Sequence, residues 1–434
     1  MMRLKSFISF AAVLAVAAAR SPLADPALQQ LLANDASGRY SNNVIEDARL
    51  DVPELVRKYN YPLEEHTVTT SDGYILTLHR IPHGRDAHAA PGPRPVIFLM
   101  HGIVCSSADW VITGPGSGLA YILAEEGFDV WMGNARGNYY SRRHVSLNPD
   151  SIRNKNFWDF SWDEIGEIDV PTMIDYVLET TEHQRLHYIG HSQGTTVFFV
   201  MTSLKPEYND KIISMHALAP VAFMEHNQSW LLKAISPYAS DIDKVARRLG
   251  LGEMVPNNQI MTWAGQKMCM DEVKYQPLCS NILFLIGGWN ENQHNATIMP
   301  VIMGHTPAGS STRQFAHYGQ GIADKQFRRY DLGRRKNRKR YGSRTPPTYD
   351  LKKITTPVFL HYSLSDPLAH VRDVDRLWRE LGRPVGKFMV NMQSFSHTDF
   401  MWAIDARALI YNRVINLIWQ MDGLQNSNYD ELEF

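Results

Sequence analysis

Cysteine is scarce in this 434-residue chain, which holds only Cys105, Cys269 and Cys279. Cys269 and Cys279 stand close together in a loop-like region and could close a small ring in an oxidising compartment, leaving Cys105 free. Cys105 itself reads as a small buried apolar residue. An excess of either charge is also missing, since 44 Lys and Arg offset 45 Asp and Glu for a net charge of −1. No global field therefore points to nucleic acid or to acidic substrates. Beyond the first 20 residues no unbroken apolar run is long enough to cross a bilayer, so no transmembrane anchor is expected.

The N-terminus does carry a signal. Met1-Met2-Arg3-Leu4-Lys5 is basic, Phe7 to Ala18 is apolar, and Ala17-Ala18-Ala19 supplies small residues before Arg20. That is the pattern of a secretory signal peptide over 1–19, too short to span a membrane. Secretion gives meaning to two N-glycosylation triplets, Asn227-Gln228-Ser229 and Asn295-Ala296-Thr297. Residues 20–52, with Pro22, Pro26 and a polar run, read as a leader arm, and the domain proper is expected from Pro53.

The chain is organised around His187-Tyr188-Ile189-Gly190-His191-Ser192-Gln193-Gly194-Thr195-Thr196. A Gly-x-Ser-x-Gly motif also arises by accident, so its context decides. Upstream, Ile165 to Thr181 has apolar residues at helical spacing; downstream, Val197, Phe198, Val200 and Met201 continue a helix, and Ile212 to Val221 reads as a strand. Helix, strand, sharp turn, helix, strand is the order that lifts a serine hydroxyl out of a sheet on a strained turn. Gly190 and Gly194 are required there because a Cβ would collide with neighbouring backbone.

Other elements follow the same alternation. Glu65 to Thr70 and Tyr74 to Arg80 form a hairpin around Ser71-Asp72-Gly73. Pro95 to Met100 is a strand covered on both faces, Leu119 to Glu126 a helix and Phe128 to Met132 a strand. The turn Gly133-Asn134-Ala135-Arg136-Gly137-Asn138 is not a phosphate loop, lacking the strand, Gly-x-Gly and helix order. Between about 223 and 350 the pattern becomes helical and Met-rich, which marks a cap inserted into the α/β core. Within it, Met224, Trp230, Leu231, Leu232, Met254, Met261 and Trp263 would offer an apolar face to long acyl chains or a lipid–water interface. The cluster Arg334 to Arg340 reads as a solvated surface loop, with anionic lipid contact or proteolytic processing as its functional readings. Strands return at Pro357 to Tyr362 and Gly386 to Met392, and a helix closes the chain from Phe400 to Met421. The expected domains are thus a core over 53–222 and 351–434, with the cap at 223–350.

A serine needs a base, and the base needs an orienting acid. In the α/β-hydrolase order these come as Ser, Asp, His on successive strand ends. Ser192, Asp366 and His397 fill that order, with Asp373, Asp375 and Asp399 as competitors for the acid. Asp373 and Asp375 are expected to be solvated on a helix, and Asp399 to cap the closing helix. The oxyanion donors would be the backbone N–H groups of Ile103, after His101-Gly102, and of Gln193 at the start of a helix. No metal or cofactor is needed.

Taken together, His101-Gly102-Ile103-Val104 with Asp109-Trp110, Asp129 to Asn138, Gly190 to Gly194 and Phe395 to Phe400 resemble the acid lipase family of gastric, lingual and lysosomal lipases and their insect relatives. The likeness runs from Pro53 to the C-terminus. It implies an α/β-hydrolase fold with a mostly parallel sheet, the triad Ser192, Asp366 and His397, an oxyanion hole of Ile103 and Gln193, a Cys269–Cys279 disulfide, and a helical cap. The basic cluster around Arg338 is unlike the usual family cap. The expected activity is a secreted or lysosomal lipase acting on acylglycerols. An esterase or sterol-ester hydrolase is the rival enzyme reading, and a lipid-binding or storage protein that keeps the fold without the chemistry is the non-catalytic rival.

Overall fold

A computed structural model describes residues 41–85, 93–151, 155–249, 252–254, 282–288, 290 and 292–430. Nine strands form one sheet in the order β1-β2-β4-β3-β6-β7-β8-β9, with β5 (Arg143–His144) paired to β2. The hairpin β1 (Glu64–Thr69) and β2 (Tyr74–Ile81) is antiparallel, and β2 joins β4 (Asp129–Gly133) antiparallel. From there β3 (Val96–Met100), β6 (Leu186–His191), β7 (Ile212–Leu218), β8 (Val358–Tyr362) and β9 (Pro384–Met389) are all parallel. Every residue of β3, β4, β6 and β7 is buried, because helices cover both faces. Side chains such as Phe98, Tyr188 and Phe198 are wholly buried, each contributing about 1.5–3 kcal/mol of apolar transfer.

The helices alternate with these strands. In chain order they begin with α1 (Asn42–Asp47), α2 (Val52–Lys58), α3 (Leu119–Glu125), α4 (Val170–Thr181) and α5 (Gln193–Leu204). A π-helical segment, Ile165–Asp169, leads into α4. Gly166 lets that segment close on α5, where a Cβ would come within 2.6 Å of Val200 Cβ. The inserted region holds α6 (Trp230–Ile235), α7 (Ala239–Leu249), α8 (Ile282–Gly287), α9 (Met299–His305), α10 (Thr312–Asp324) and α11 (Arg334–Tyr341). The chain then returns through β8, α12 (Val371–Glu380) and β9 to α13 (Asp399–Trp402) and α14 (Asn412–Asp430).

Three expectations need correction. The last part of the leader arm is built into the body rather than trailing from it. Ser41 and Asp51 cap α1 and α2, Ala48 is fully buried, and His305 of α9 donates to the Leu50 carbonyl at 2.9 Å. The basic cluster is a helix, α11, not a loop. Gly333 at its start (φ 87°) and Gly342 after its end (φ 73°) supply the positive-φ turns that bound it. The closing helix is broken between Trp402 and the π-helical turn Arg407–Tyr411, because Ala403 bridges to His294 and the Gln293 side chain engages Asp405.

Candidate active site

Parallel strands bring the ends of β3, β6, β8 and β9 to one edge of the sheet, where ligands of open α/β folds bind. Ser192 follows β6 with φ 52° and ψ −115°, a conformation a serine adopts only under constraint. Its N–H donates to Leu218 of β7 at 3.0 Å, and its carbonyl accepts from Thr195 N and Oγ1. Both flanking glycines are obligatory. A Cβ on Gly190 would sit 2.7 Å from the Gly194 carbonyl carbon, and one on Gly194 would overlap the carbonyl oxygen of Met100. Gln193 opens α5, so its N–H has no intrahelical acceptor.

The loop after β3 faces the serine. A Cβ on Gly102 would touch Ser192 Cβ at 3.4 Å, and the β-branched Val104 is held at φ 55°. His101 fixes this loop from behind. Its Nδ1 reaches the Gly102 carbonyl at 2.7 Å, while Nε2 meets the N–H of Ala135 at 3.1 Å and Nδ2 of Asn138 at 3.2 Å. Burial lowers the His101 pKa to about 4, so the ring is neutral and Nε2 accepts. The turn Gly133 to Asn138 is therefore the brace of the loop carrying Ile103. Asn134 ties it to Ser107 and Thr77. Arg136, buried, is fixed by Asp169 and Asp72 and lies over the Tyr74 ring. Sequence reasoning assigned no role to His101, Asn134 or Arg136. A buried histidine directly after an all-apolar strand was the available signal.

Asp366 lies on the loop after β8 and is buried. One oxygen accepts from the N–H groups of Leu368 (2.8 Å) and Ala369 (2.9 Å); the other accepts from His397 Nδ1 at 2.7 Å. Burial pushes this carboxyl up, but the His397 ring and the two N–H groups outweigh it and hold the pKa below the usual range. His397, after β9, is anchored by its N–H on the Gly287 carbonyl and by its own carbonyl, which accepts from His191 Nε2 at 3.0 Å. Its Nε2 is buried without a protein hydrogen bond and borders the cavity that Ser192 borders.

The competing acids are committed elsewhere. Asp373 is buried rather than solvated, because it accepts from both the N–H and Nδ1 of His226, each at 2.8 Å. Asp375 meets Lys387 at 2.5 Å. Asp399 caps no closing helix. It accepts from Ser396 N–H (2.6 Å) and Asn290 Nδ2 (2.9 Å), bracing the His397 loop from below, and burial raises its pKa to about 6.

A family model described as a partial alpha/beta-hydrolase lipase region matches residues 52–114, and one described as alpha/beta hydrolase fold matches 95–238. Lipase 1 of Drosophila melanogaster is 43% identical over 378 residues, 87% of this chain and 81% of that protein. Lysosomal acid lipase/cholesteryl ester hydrolase of Homo sapiens is 37% identical over 389 residues, covering 89% and 95% of the two chains. Gastric triacylglycerol lipase of Rattus norvegicus is 36% identical over 373 residues, covering 86% and 92%. The chain belongs to the acid lipase family. It is a carboxylic ester hydrolase of the α/β-hydrolase fold.

In this member of the acid lipases, two apolar cavities meet at Ser192, Ile103, Ile286 and Leu368. One runs past His397 to Cys105, Asp109, Met401 and Trp402. The other, the smaller, runs under the inserted helices to Met224, Leu232, Phe315 and Tyr318. Of the apolar residues expected to line the cap, Met224 and Leu232 do so, whereas Trp230 is 49% exposed to solvent. Met261, Trp263, Cys269 and Cys279 lie outside the described residues. Cys105 is a buried free thiol, as expected, and burial beside Asp109 raises its pKa well above the usual value. The Asn227 triplet is a correction. Asn227 is 1% exposed and Ser229 3%, which leaves no room for a glycan. Asn295 lies half-buried, its side chain accepting from Thr297 N–H, with Thr297 exposed.

Proposed function

We propose that the chain is a serine lipase that hydrolyses acylglycerol esters through Ser192, His397 and Asp366. The observation that carries this reading is the meeting of two apolar cavities at a serine whose neighbour His397 is held at Nδ1 by Asp366 and has Nε2 free. Ser192 Oγ attacks the ester carbonyl as His397 Nε2 takes its proton. The resulting imidazolium is stabilised by the Asp366 carboxylate. The oxyanion forms against the N–H groups of Ile103 and Gln193, each worth on the order of 10²–10³ in rate. His397 then protonates the leaving alcohol, and water activated by the same ring hydrolyses the acyl-enzyme. One cavity takes the acyl chain and the other the alcohol portion.

The basic and apolar opening of the sequence, with gastric and lysosomal proteins among its relatives, supports entry into the secretory pathway. A Cys269–Cys279 disulfide belongs to the same reading, as does a glycan at Asn295.

The substrate reading is tested with the purified protein on a long-chain triacylglycerol, a cholesteryl ester and a water-soluble short-chain ester. Hydrolysis of the triacylglycerol at a rate above that of the cholesteryl ester is expected. A preference for the cholesteryl ester would assign the sterol-ester reading. Activity confined to the soluble ester would make the chain an esterase.

A further inference from the structure

Helix α11 places six cations in eight residues: Arg334, Arg335, Lys336, Arg338, Lys339 and Arg340, all exposed. Like charges face each other at the i,i+4 spacing in Arg334/Arg338, Arg335/Lys339 and Lys336/Arg340, which opposes a helix. Its first turn has no acid and holds three cations where the helix dipole is positive. Electrostatics alone would unwind this segment.

Other contacts hold it. Asn337, the one buried side chain of the helix, accepts from Leu332 N–H at 2.9 Å and donates to Asp331 Oδ1 (2.8 Å) and the Arg344 carbonyl (2.9 Å). Tyr341 donates to the Tyr330 carbonyl at 3.0 Å. The neighbouring acids do not neutralise the patch. Glu164 takes Arg340, Asp163 and Glu167 take Arg329, and Asp331 takes Asn337 and Gly333 N–H. Among the described residues, Arg334, Arg335, Lys336, Arg338 and Lys339 make no ion pair. On a chain of net charge −1 this is a local concentration of positive charge, kept rigid against its own repulsion.

The helix is rooted beside the substrate cavity. The strand of chain entering it packs on α10, where His317 contacts the Arg328 carbonyl at 2.9 Å and Gln320 the Asp331 carbonyl at 3.1 Å. Phe315 and Tyr318 of the same α10 line the smaller cavity. Against Gly319 of α10 packs the turn between α6 and α7, a region whose Trp230 and Tyr238 are each 49% exposed. One helix thus connects the cavity to exposed aromatic rings and to the unpaired cations.

We propose that α11 docks this chain onto an anionic lipid surface, bringing the cavity to the interface on which its esters lie. This rests on the lipase reading above. Unpaired cations joined through α10 to exposed aromatics suit a surface with an apolar interior and charged headgroups better than a polyanion in free solution.

The test uses the full chain carrying Ser192→Ala, so that vesicle lipid is not consumed. Cosedimentation is measured with phosphatidylcholine vesicles, with and without phosphatidylserine, at low and high salt. The expected result is a preference for the phosphatidylserine vesicles that salt removes. Adding Arg335→Gln, Lys336→Gln, Arg338→Gln and Lys339→Gln should weaken that binding on the order of 10³-fold, at roughly fivefold per cation. Glutamine keeps helix propensity and removes the repulsion. The same four changes with Ser192 intact should leave hydrolysis of a water-soluble short ester unaltered, which also reports that the protein folds. Equal binding to both vesicles, or unchanged binding by the fourfold variant, would overturn the proposal. So would salt-sensitive binding to a duplex oligonucleotide with no preference between vesicles. Because binding is read without Ser192, failure of the lipase chemistry and failure of the docking surface remain separate results.

Discussion

His397 Nδ1 stands 2.7 Å from Asp366 Oδ2, and the other Asp366 oxygen is already occupied by two backbone N–H groups. An amide at 366 can keep the backbone contacts or face the ring with an oxygen, but carries no charge to stabilise an imidazolium. Asp366→Asn should lower kcat on the order of 10³–10⁴-fold, by analogy with the serine-protease triad. Asp399→Asn keeps an oxygen that can accept from Ser396 N–H and should cost roughly tenfold or less in kcat. Steady-state kinetics beside thermal denaturation separates the two. Equal losses of kcat in folded variants would contradict the assignment of the acid.

Met224 and Leu232 form the far wall of the smaller cavity, while Trp230 two residues before Leu232 faces solvent. Leu232→Ala removes about 2 kcal/mol of apolar contact at most, on the order of tenfold in kcat/KM for a long-chain ester. A short-chain ester that does not reach this wall should lose little. Trp230→Ala should leave both substrates alike in solution. Equal losses on long and short chains for Leu232→Ala would deny that this cavity holds an acyl chain.

Asp109 lines the larger cavity with neither oxygen hydrogen-bonded by the usual geometry, and burial pushes its pKa up to about 7 despite the Cys105 thiol beside it. A carboxyl whose folded pKa lies above its unfolded value retains a proton on folding. Stability is therefore lost as pH rises from about 4 to about 7, and the penalty is complete above that. Asp109→Asn keeps the shape and cannot ionise. Its melting temperature should exceed that of the native chain by a few degrees at pH 8, and the difference should shrink at pH 4. A gain that is independent of pH would show that ionisation of Asp109 is not its source.

The order of elements was legible because β3 is a continuous apolar run and β4 and β7 are mostly apolar, and because Gly190 and Gly194 admit one backbone path around Ser192. Asp366 and His397 could be ranked by their place after strands, since parallel pairing brings successive strand ends together. What escaped sequence reasoning depends on distant partners. Asp373 lies on a helix that looks solvent-facing, yet His226, 147 residues earlier, buries it. His101 gains its meaning from Ala135 and Asn138, and Ala48 from a helix more than two hundred residues later. Arg334 to Arg340 looked like a loop because helix propensity and charge disagree there, and Asn337 decides the outcome through contacts that no local pattern displays.

The most direct test of the whole account is labelling with an active-site-directed fluorophosphonate, followed by peptide mapping. Covalent modification at Ser192 that abolishes ester hydrolysis is the predicted result. It should disappear in Ser192→Ala, a variant expected to fold because the hydroxyl makes no packing contact that an alanine would lose. Labelling at another serine, or a folded Ser192→Ala variant retaining more than a trace of hydrolysis, would contradict it.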